Sequence, residues 1–481
     1  MRRFTDICVR SAERVMPDPF ILAVVLSVIT AVAALAAVSH ATPSGAARAW
    51  YEGVWGQNNI FAFALEMVLI LVSGHALADT PLVRRGLDRL AALPNTQIQA
   101  AILVFLVAAV CTFLNWGLGL VTGALLARRI AQRVHEQADM SVGVGNHTEP
   151  SQSPRSDTAA PGGLTGLHFG YLIAAAYAGF ITCNSGLSAS VALANTDPKS
   201  PLDVVFSATH HTLGLWQQVG QPANLVPTIV LVAVIPFVLW RIAPLEALPP
   251  DPALFEDSAE QVEERTGLAG AAERFRPLTW IVVAAGAYAF YLHRFSLDVG
   301  SMVMLFTLAG MLLHGNPIRY VRSFVAAART VGPMVLQFPL YGGIIGLLGY
   351  APSKDVHSLA VLIANGIVSG ASVMTLPFLN FLASLVITLF VPSAGGHWGV
   401  QGPVAVHAAL ALHQNSPGYL SKLAMSVAAG ESVTNMIQPF WLLPVLSLAK
   451  LPLRQVMGYT VVIFLFGLVA YGAAFLLIPA V

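Results

Sequence analysis

Ionisable side chains all but vanish from long stretches of this 481-residue chain, and that pattern limits what it can fold into more than any motif does. Apolar runs cover residues 20–39, 60–79, 98–112, 123–134, 168–194, 225–243, 278–293, 299–314, 333–350, 357–391, 402–413, 418–448 and 455–478. A charge at the centre of a bilayer costs roughly 2.5–3.5 kcal/mol on insertion scales, so lipid as solvent explains the scarcity. A water-soluble domain carries about 25% charged residues. Here 10% are charged and 56% hydrophobic, too little charge to cover a wetted surface. The length allows roughly ten or more spans of about 20 residues each.

The remaining charges fit that solvent. Half of the acidic residues, 12 of 24, fall in the stretches 135–167 and 244–277, which read as solvated loops. Basic residues close several apolar runs: Arg84, Arg85 and Arg89; Arg128, Arg129 and Arg133; Arg241; Lys450 and Arg454. Such residues favour the cytoplasmic side, which puts the N-terminus inside and the C-terminus outside. Arg2, Arg3, Arg10 and Arg14 before the run from Phe20 imitate a secretion signal, but further spans follow, so the run reads as a first transmembrane helix. The net charge of +1 leaves no footprint for nucleic acid. Cys8, Cys111 and Cys183 form neither a disulfide framework nor a zinc-type spacing.

Forty glycines and thirty prolines argue against a simple bundle of unbroken helices, and they cluster. Residues 113–123 hold Asn115, Trp116, Gly117, Gly119, Thr122 and Gly123 between two short apolar arms whose outer ends are both basic. A segment that leaves and returns on one side is a re-entrant hairpin, with non-helical backbone sheltered by protein or a water-filled cavity. The alternative is a helix-packing seam, since Gly119 and Gly123 have G-x-x-x-G spacing. A second patch, Pro392 to Pro403, contains Ser393, Gly395, Gly396, His397, Trp398, Gly399, Gln401 and Gly402. Its prolines and four glycines argue against one continuous helix. Each patch carries a Trp-Gly pair, Trp116-Gly117 and Trp398-Gly399.

Each patch is followed by a long apolar segment with a small polar cluster at its middle. Thr182, Asn184, Ser185 and Ser188 lie in the first; Glu431, Ser432, Thr434, Asn435 and Gln438 lie in the second. A shift of 251 residues lays Gly179 on Gly430 and Asn184 on Asn435. Two such pairs in the same order are what an inverted repeat with discontinuous helices leaves in sequence. The expected fold is therefore all-α and polytopic, with two inverted repeats, re-entrant hairpins and discontinuous transmembrane helices. The first repeat is residues 1–243, with a hairpin near 98–134 and a broken helix at 168–194. An acidic cytoplasmic linker, 244–277, leads to the second, 278–481, with a hairpin near 376–413 and a broken helix at 418–448. The crossings between 278 and 391 do not close for a fully inverted second half, and 357–391 is where the count goes astray.

Met16-Pro17-Asp18-Pro19-Phe20, Asn115-Trp116-Gly117 and above all the run Phe390 to Pro403 resemble the bacterial short-chain fatty acid transporter family. The likeness covers almost the whole chain. That family sits in an ion-transporter superfamily that includes dicarboxylate carriers. The resemblance implies uptake of small monocarboxylates such as butyrate or acetoacetate, paired hairpins, an elevator-like movement and a homodimer in the bacterial inner membrane. The superfamily's Ser-Asn-Thr tips have their nearest equivalents in Asn184-Ser185 and Thr434-Asn435, in a different order.

The residues suit such a substrate. Broken helices expose N–H groups and a partial positive potential that favour a carboxylate. Asn184, Ser185, Ser188, Ser393, Thr434 and Asn435 can add hydrogen bonds, and Gly395, Gly396 and Gly399 let backbone approach closely. Asn115, Gly117, Thr122 and Gln401 join them as candidates. Trp116 and Trp398 can wall a slot for the tail or serve as packing anchors. Each buried methylene contributes only about 0.8 kcal/mol, so binding is weak. For ion coupling the candidates are Glu431, Ser432, Asn184 and Asn435, with a proton or sodium as the ion; Glu66 is a weaker one. No metal or other cofactor is called for. His397 reads either as a proton relay or as a structural histidine. His210, His211, Gln217, Gln218 and Gln221 read as interfacial loop residues. No G-x-x-x-x-G-K-[ST] loop is present, which excludes that type of primary pump. The expectation is a secondary carrier, against a passive channel and, from another class, an intramembrane enzyme using Ser393 and His397.

Overall fold

A computed structural model describes residues 2–15, 17–56, 61–144, 166–198, 203–245, 267–292, 299–329, 331–353, 355–392 and 394–481, with positions 164, 200, 247, 250, 251 and 254 between them. Ser393 lies outside the described residues, as does half of the 244–277 stretch. Every regular element among the described residues is helical.

In chain order the helices are α1 (Arg2–Val15), α2 (Pro19–Ala37), α3 (Pro43–Trp55), α4 (Phe61–Ala78), α5 (Pro81–Ala91), α6 (Gln97–Leu114), α7 (Trp116–Val144) and α8 (Phe169–Ala178). After α8 come a 3-10 turn (Gly179–Thr182), α9 (Ser190–Ala194), α10 (Val204–Thr209), α11 (Leu215–Val219) and α12 (Pro222–Ile242). The second half holds α13 (Gly267–Glu273), α14 (Arg276–Leu292), α15 (Val299–His314), α16 (Pro317–Ala328), α17 (Gly332–Leu348) and α18 (Leu359–Val368). It ends with α19 (Leu376–Thr388), α20 (Ala394–Ala411), α21 (Pro417–Thr434), α22 (Leu442–Ala449) and α23 (Arg454–Leu477).

Many helix starts are written as a capping residue followed by proline. Asp18-Pro19, Thr42-Pro43, Asn316-Pro317 and Ser416-Pro417 open α2, α3, α16 and α21, and each cap side chain accepts a backbone N–H of the first turn. Proline at that position loses no helical hydrogen bond, and its fixed φ is already helical. Among the described residues five helical stretches are long and apolar enough to cross a membrane: α2, α6, α12, Gly267–Leu292 and α23. Their outer faces carry large apolar side chains, among them Val32, Ile229 and Ile281. Water would not favour that arrangement, and lipid does.

Most of the helices sort into two packed groups, here called bodies, which share one hydrophobic core and are joined where α4 packs on α7. The first contains α2, α3, α4 and α14 to α17, drawn from the start of each half of the chain. Glycines set its contacts: a side chain on Gly53 would strike the Gly342 carbonyl, and one on Gly343 would strike the Trp50 ring. Helices α4 and α15 run parallel, with Gly74 facing Phe306 and His314 Nε2 2.8 Å from the Ala76 carbonyl oxygen. The second body contains α1, α6 to α12 and α18 to α23.

Within the second body the chain doubles back twice. Between α6 and α7 only Asn115 leaves the helix, and the two arms run antiparallel, Gly119 against Thr112 and Gly123 against Ala108. The glycine seam and the hairpin are thus one feature: small residues let two consecutive helices touch. Little of 113–123 is non-helical, contrary to the sequence expectation. Helices α19 and α20 also run antiparallel, with Thr388 bonded to His397 and Gln401 to Asn380.

A clear correction falls on the second patch. Gly395, Gly396, Gly399, Gly402 and Pro403 all lie inside the continuous helix α20. Each interior glycine costs a helix about 1 kcal/mol, but burial of His397, Trp398 and Gln401 on the same helix outweighs it. The uncertain segment 357–391 divides into α18 and α19, separated by residues 369–375, so it is not one crossing. Glu66 takes an exposed position on α4.

Candidate functional site

The two long apolar segments with polar middles are both interrupted. The first runs as α8, tightens to the 3-10 turn and leaves helical geometry until α9. The second runs as α21, breaks after Thr434 and resumes as α22. Each broken helix lies parallel to the first arm of its own hairpin. Thr182 Oγ1 donates to the Ala109 carbonyl and Leu187 N–H to the Phe113 carbonyl. In the other half Ser384 Oγ donates to the Val427 carbonyl and Asn380 Nδ2 to Ser426 Oγ. Gly179 sits against Ala108 and Ala109, and Gly430 sits against Phe381 and Ser384. The two glycines related by the 251-residue shift therefore occupy matching contacts.

The interruptions meet each other, running in opposite directions. Tyr177 hydroxyl donates to the Asn435 carbonyl at 2.8 Å. The Asn184 N–H donates to Ser432 Oγ at 3.3 Å, and Cys183 Sγ lies 3.3 Å from the same oxygen. Ser432 hydroxyl itself donates to the Ala428 carbonyl, so the Cys183 thiol is the donor of that pair. Glu431 is 3% exposed. The side-chain amides of Asn435 and Asn184 and the backbone N–H of Ala394, the first residue of α20, lie beside its carboxylate, and Asn435 Nδ2 also reaches Cys183 Sγ at 4.0 Å. Its Oε2 atom and Asn435 Oδ1 have no hydrogen-bond partner.

Around this crossing, polar side chains are linked in networks, in which Asn224 Oδ1 has no partner. Ser185 Oγ lies 2.6 Å from the Tyr471 hydroxyl, which lies 2.8 Å from Thr228 Oγ1; Thr228 donates to the Asn224 carbonyl. Asn224 Nδ2 donates back to the Ser185 carbonyl. On the other flank Trp116 stacks edge-on to Trp441 at 5.0 Å, and Phe440 packs on Tyr341 of the first body at 4.9 Å. Gln438 Nε2 donates to the Tyr341 hydroxyl at 3.2 Å, a polar tie between the bodies.

Of the sequence candidates, Asn184, Ser185, Glu431, Ser432 and Asn435 come together at the crossing. Ser188 accepts the Trp116 N–H at the rim, and Asn115 caps α7 by accepting the Leu118 N–H. Gly117 packs on Ile70, and Thr122 bonds Cys111 between the hairpin arms. Thr434 turns to the Leu385 carbonyl. Gly395 and Gly396 form the first turn of α20.

His397, Trp398 and Gln401 lie elsewhere. Trp398 is fully buried and donates to Asn195 Oδ1, so it is a packing anchor. Gln401 donates twice to Asn380, which turns its oxygen to His397 Nε2 at 2.6 Å. His397 Nε2 therefore carries the proton, and Nδ1 accepts from Thr388. Every polar atom of that ring has a partner, the mark of a structural histidine. Gln218 and Gln221 are buried ties, bonded to Asn195 and to Val481, and not interfacial loop residues; His210 and His211 are on the surface. Tyr177, Tyr471, Thr228 and Trp441 escaped the sequence reading because tyrosines and threonines in apolar runs look like ordinary filler. Among the described residues no three His, Cys, Asp or Glu side chains gather as a metal site would require.

The sequence matches the short-chain fatty acid transporter family over residues 1–144 and 162–478. The chain belongs to that family. A relative from Escherichia coli (strain K12), named "Putative short-chain fatty acid transporter", is 34% identical over 477 residues, covering 96% of this chain and 97% of its own. One from Haemophilus influenzae with the same name is 30% identical over 466 residues, 94% of each chain. Solved structures with some likeness include the YdaH transporter of Alcanivorax borkumensis, at 15% identity, TM-score 0.42, and coverage of 95% of this chain and 98% of that one. As a member of the short-chain fatty acid transporter family, the protein is a multi-pass membrane transporter of a small molecule and not an enzyme.

Proposed function

We propose that the protein imports short-chain monocarboxylates of the butyrate and acetoacetate class as a secondary carrier, together with a proton or a sodium ion. The observation that carries the reading is the antiparallel crossing of two interrupted helices, where donors from both halves of the chain meet in the interior. A half-helix end supplies free N–H groups without a full opposite charge, which suits an anion that must be released again. The gradient of the co-transported ion would drive uptake; the membrane potential, about 2.3 kcal/mol per charge per 100 mV, would add to it only where more than one cation enters with each anion.

An elevator-like movement, the second body carrying both crossings past the first, is part of the same reading, and the grouping of the helices into two bodies supports it. The paired packing of Gly179 and Gly430 supports two inverted repeats, 1–243 and 278–481, joined by the acidic linker. Basic flanks favour the inner membrane of a bacterium with the N-terminus cytoplasmic and the C-terminus outside. A homodimer is part of the same reading. Reconstituted vesicles test it: labelled butyrate is expected to accumulate against its gradient when a pH or sodium gradient is imposed. Downhill flux alone would mark a passive channel. Running the assay without sodium while varying pH separates the two ions.

A further inference from the structure

The environment of Glu431 is the one a substrate carboxylate would seek. Its carboxylate lies at the first N–H of α20, an 18-residue helix, and faces the side-chain amides of Asn184 and Asn435, one from each interruption. A helix N-terminus with two amide donors is an anion site, and here the chain's own anion fills it. Among the described residues no basic side chain shares the space: Lys422, the cation on the same helix, is nine residues away, about 13 Å along the axis, and donates to the Ile478 carbonyl. Two anions cannot share one buried set of donors, because the desolvated like charges repel.

We propose that Glu431 is a tethered competitor that holds the carboxylate site of the carrier until a proton displaces it. This rests on the transport reading above and names how its ion and substrate are linked. The second observation is the pair of unpartnered acceptors, Glu431 Oε2 and Asn435 Oδ1, one helical turn apart and each at most 3% exposed. A proton on Oε2, with a half-turn of the Asn435 amide, makes one hydrogen bond that satisfies both atoms. The Ala394 N–H and the Asn184 amide are then free for an incoming carboxylate. The buried negative charge stays at one throughout: the proton enters on Glu431 as the substrate anion enters its place. On release of substrate to the cytoplasm the proton leaves, and Glu431 returns to the donors. Symport with one proton per monocarboxylate follows from that exchange.

Other titratable groups around Glu431 do not substitute for it. Cys183 faces it from the first interruption, with its thiol on Ser432. His397 on α20 is bonded to Thr388 and Gln401. Tyr177 on α8 donates to the Asn435 carbonyl, and Tyr471 on α23 is bonded to Ser185 and Thr228.

The test measures butyrate binding to the purified full-length protein by thermal stabilisation and calorimetry across pH, beside counterflow and gradient-driven uptake in vesicles. Wild-type affinity is expected to fall about tenfold for each unit of rising pH once Glu431 is ionised, the limit for one linked proton. Glu431→Gln should bind butyrate with no such dependence and keep butyrate–butyrate counterflow, while pH-driven accumulation disappears. Glu431→Ala should be stabilised by formate or acetate at neutral pH more than the wild type, since a small free anion takes the vacated place. A wild-type pH slope in Glu431→Gln, or loss of butyrate binding in both variants when they remain folded, would overturn the proposal. Sodium-dependent binding abolished by Glu431→Gln would also overturn it. Wild-type protein that binds no monocarboxylate at any pH would instead sink the transport reading beneath it.

Discussion

Gly430 offers the sharpest quantitative test of how the second interruption is held. A methyl group there would overlap the Ser384 β-carbon, lie 2.5 Å from Ser384 Oγ and 3.0 Å from the Phe381 carbonyl oxygen. Non-bonded carbons prefer about 3.5–4.0 Å, so α19 and α21 would have to part by about 1 Å. Overpacking of that kind costs about 1–3 kcal/mol. Gly430→Ala should therefore lower stability by that amount in a denaturant titration of the detergent-solubilised protein, and lower uptake because Glu431 is the next residue. Ser384→Gly restores the space but forfeits the 2.7 Å bond to the Val427 carbonyl, a loss of about 0.5–1.5 kcal/mol. The double variant should be less destabilised than the sum of the singles by about 1–2 kcal/mol. A cycle that is additive within about 0.5 kcal/mol, or a neutral Gly430→Ala, would refute the close-approach argument. Gly179→Ala, with its new carbon 2.6 Å from Ala108 Cβ and 2.7 Å from the Ala109 nitrogen, should behave alike.

Asn435→Ala should impair butyrate uptake at least severalfold while the melting temperature stays near wild type, since Tyr177 bonds the backbone carbonyl and that bond survives; unchanged kinetics would remove the side chain from the site. Trp398→Phe deletes the donor to buried Asn195 and should cost about 1–3 kcal/mol of stability with KM for butyrate unaltered. A raised KM at normal stability would mean that Trp398 touches substrate after all. Tyr341→Phe removes the hydroxyl that accepts from Gln438 across the two bodies. Losing about 0.5–1.5 kcal/mol there shifts the balance of conformations by a factor of about 2–10. In a Cys8→Ser/Cys111→Ser background, alkylation of buried Cys183 should accelerate by that factor; an unchanged rate would show that the tie does not hold this conformation.

Much of the architecture is legible before any folding is considered. Lipid as solvent forces apolar runs with basic ends, and Asp18-Pro19, Thr42-Pro43, Asn316-Pro317 and Ser416-Pro417 announce helix starts through their own chemistry. The polar clusters at 182–188 and 431–435 are visible because small polar groups in an apolar run need partners, whatever the fold. These are local or solvent-driven effects, and sequence carries them directly. The two Trp-Gly pairs show where that ends. Trp116 stacks on Trp441 beside the crossing, while Trp398 is sealed in a network with Asn195, although the same dipeptide marks both. Likewise the glycines of 394–411 speak for a loop, yet burial of His397, Trp398 and Gln401 keeps them helical. Which face of a helix meets which neighbour depends on contacts between residues far apart in the chain, such as Asn184 with Ser432 and Ala394 with Glu431. Only the packed tertiary structure brings those groups together, because each close approach is set by the shapes of two helices at once.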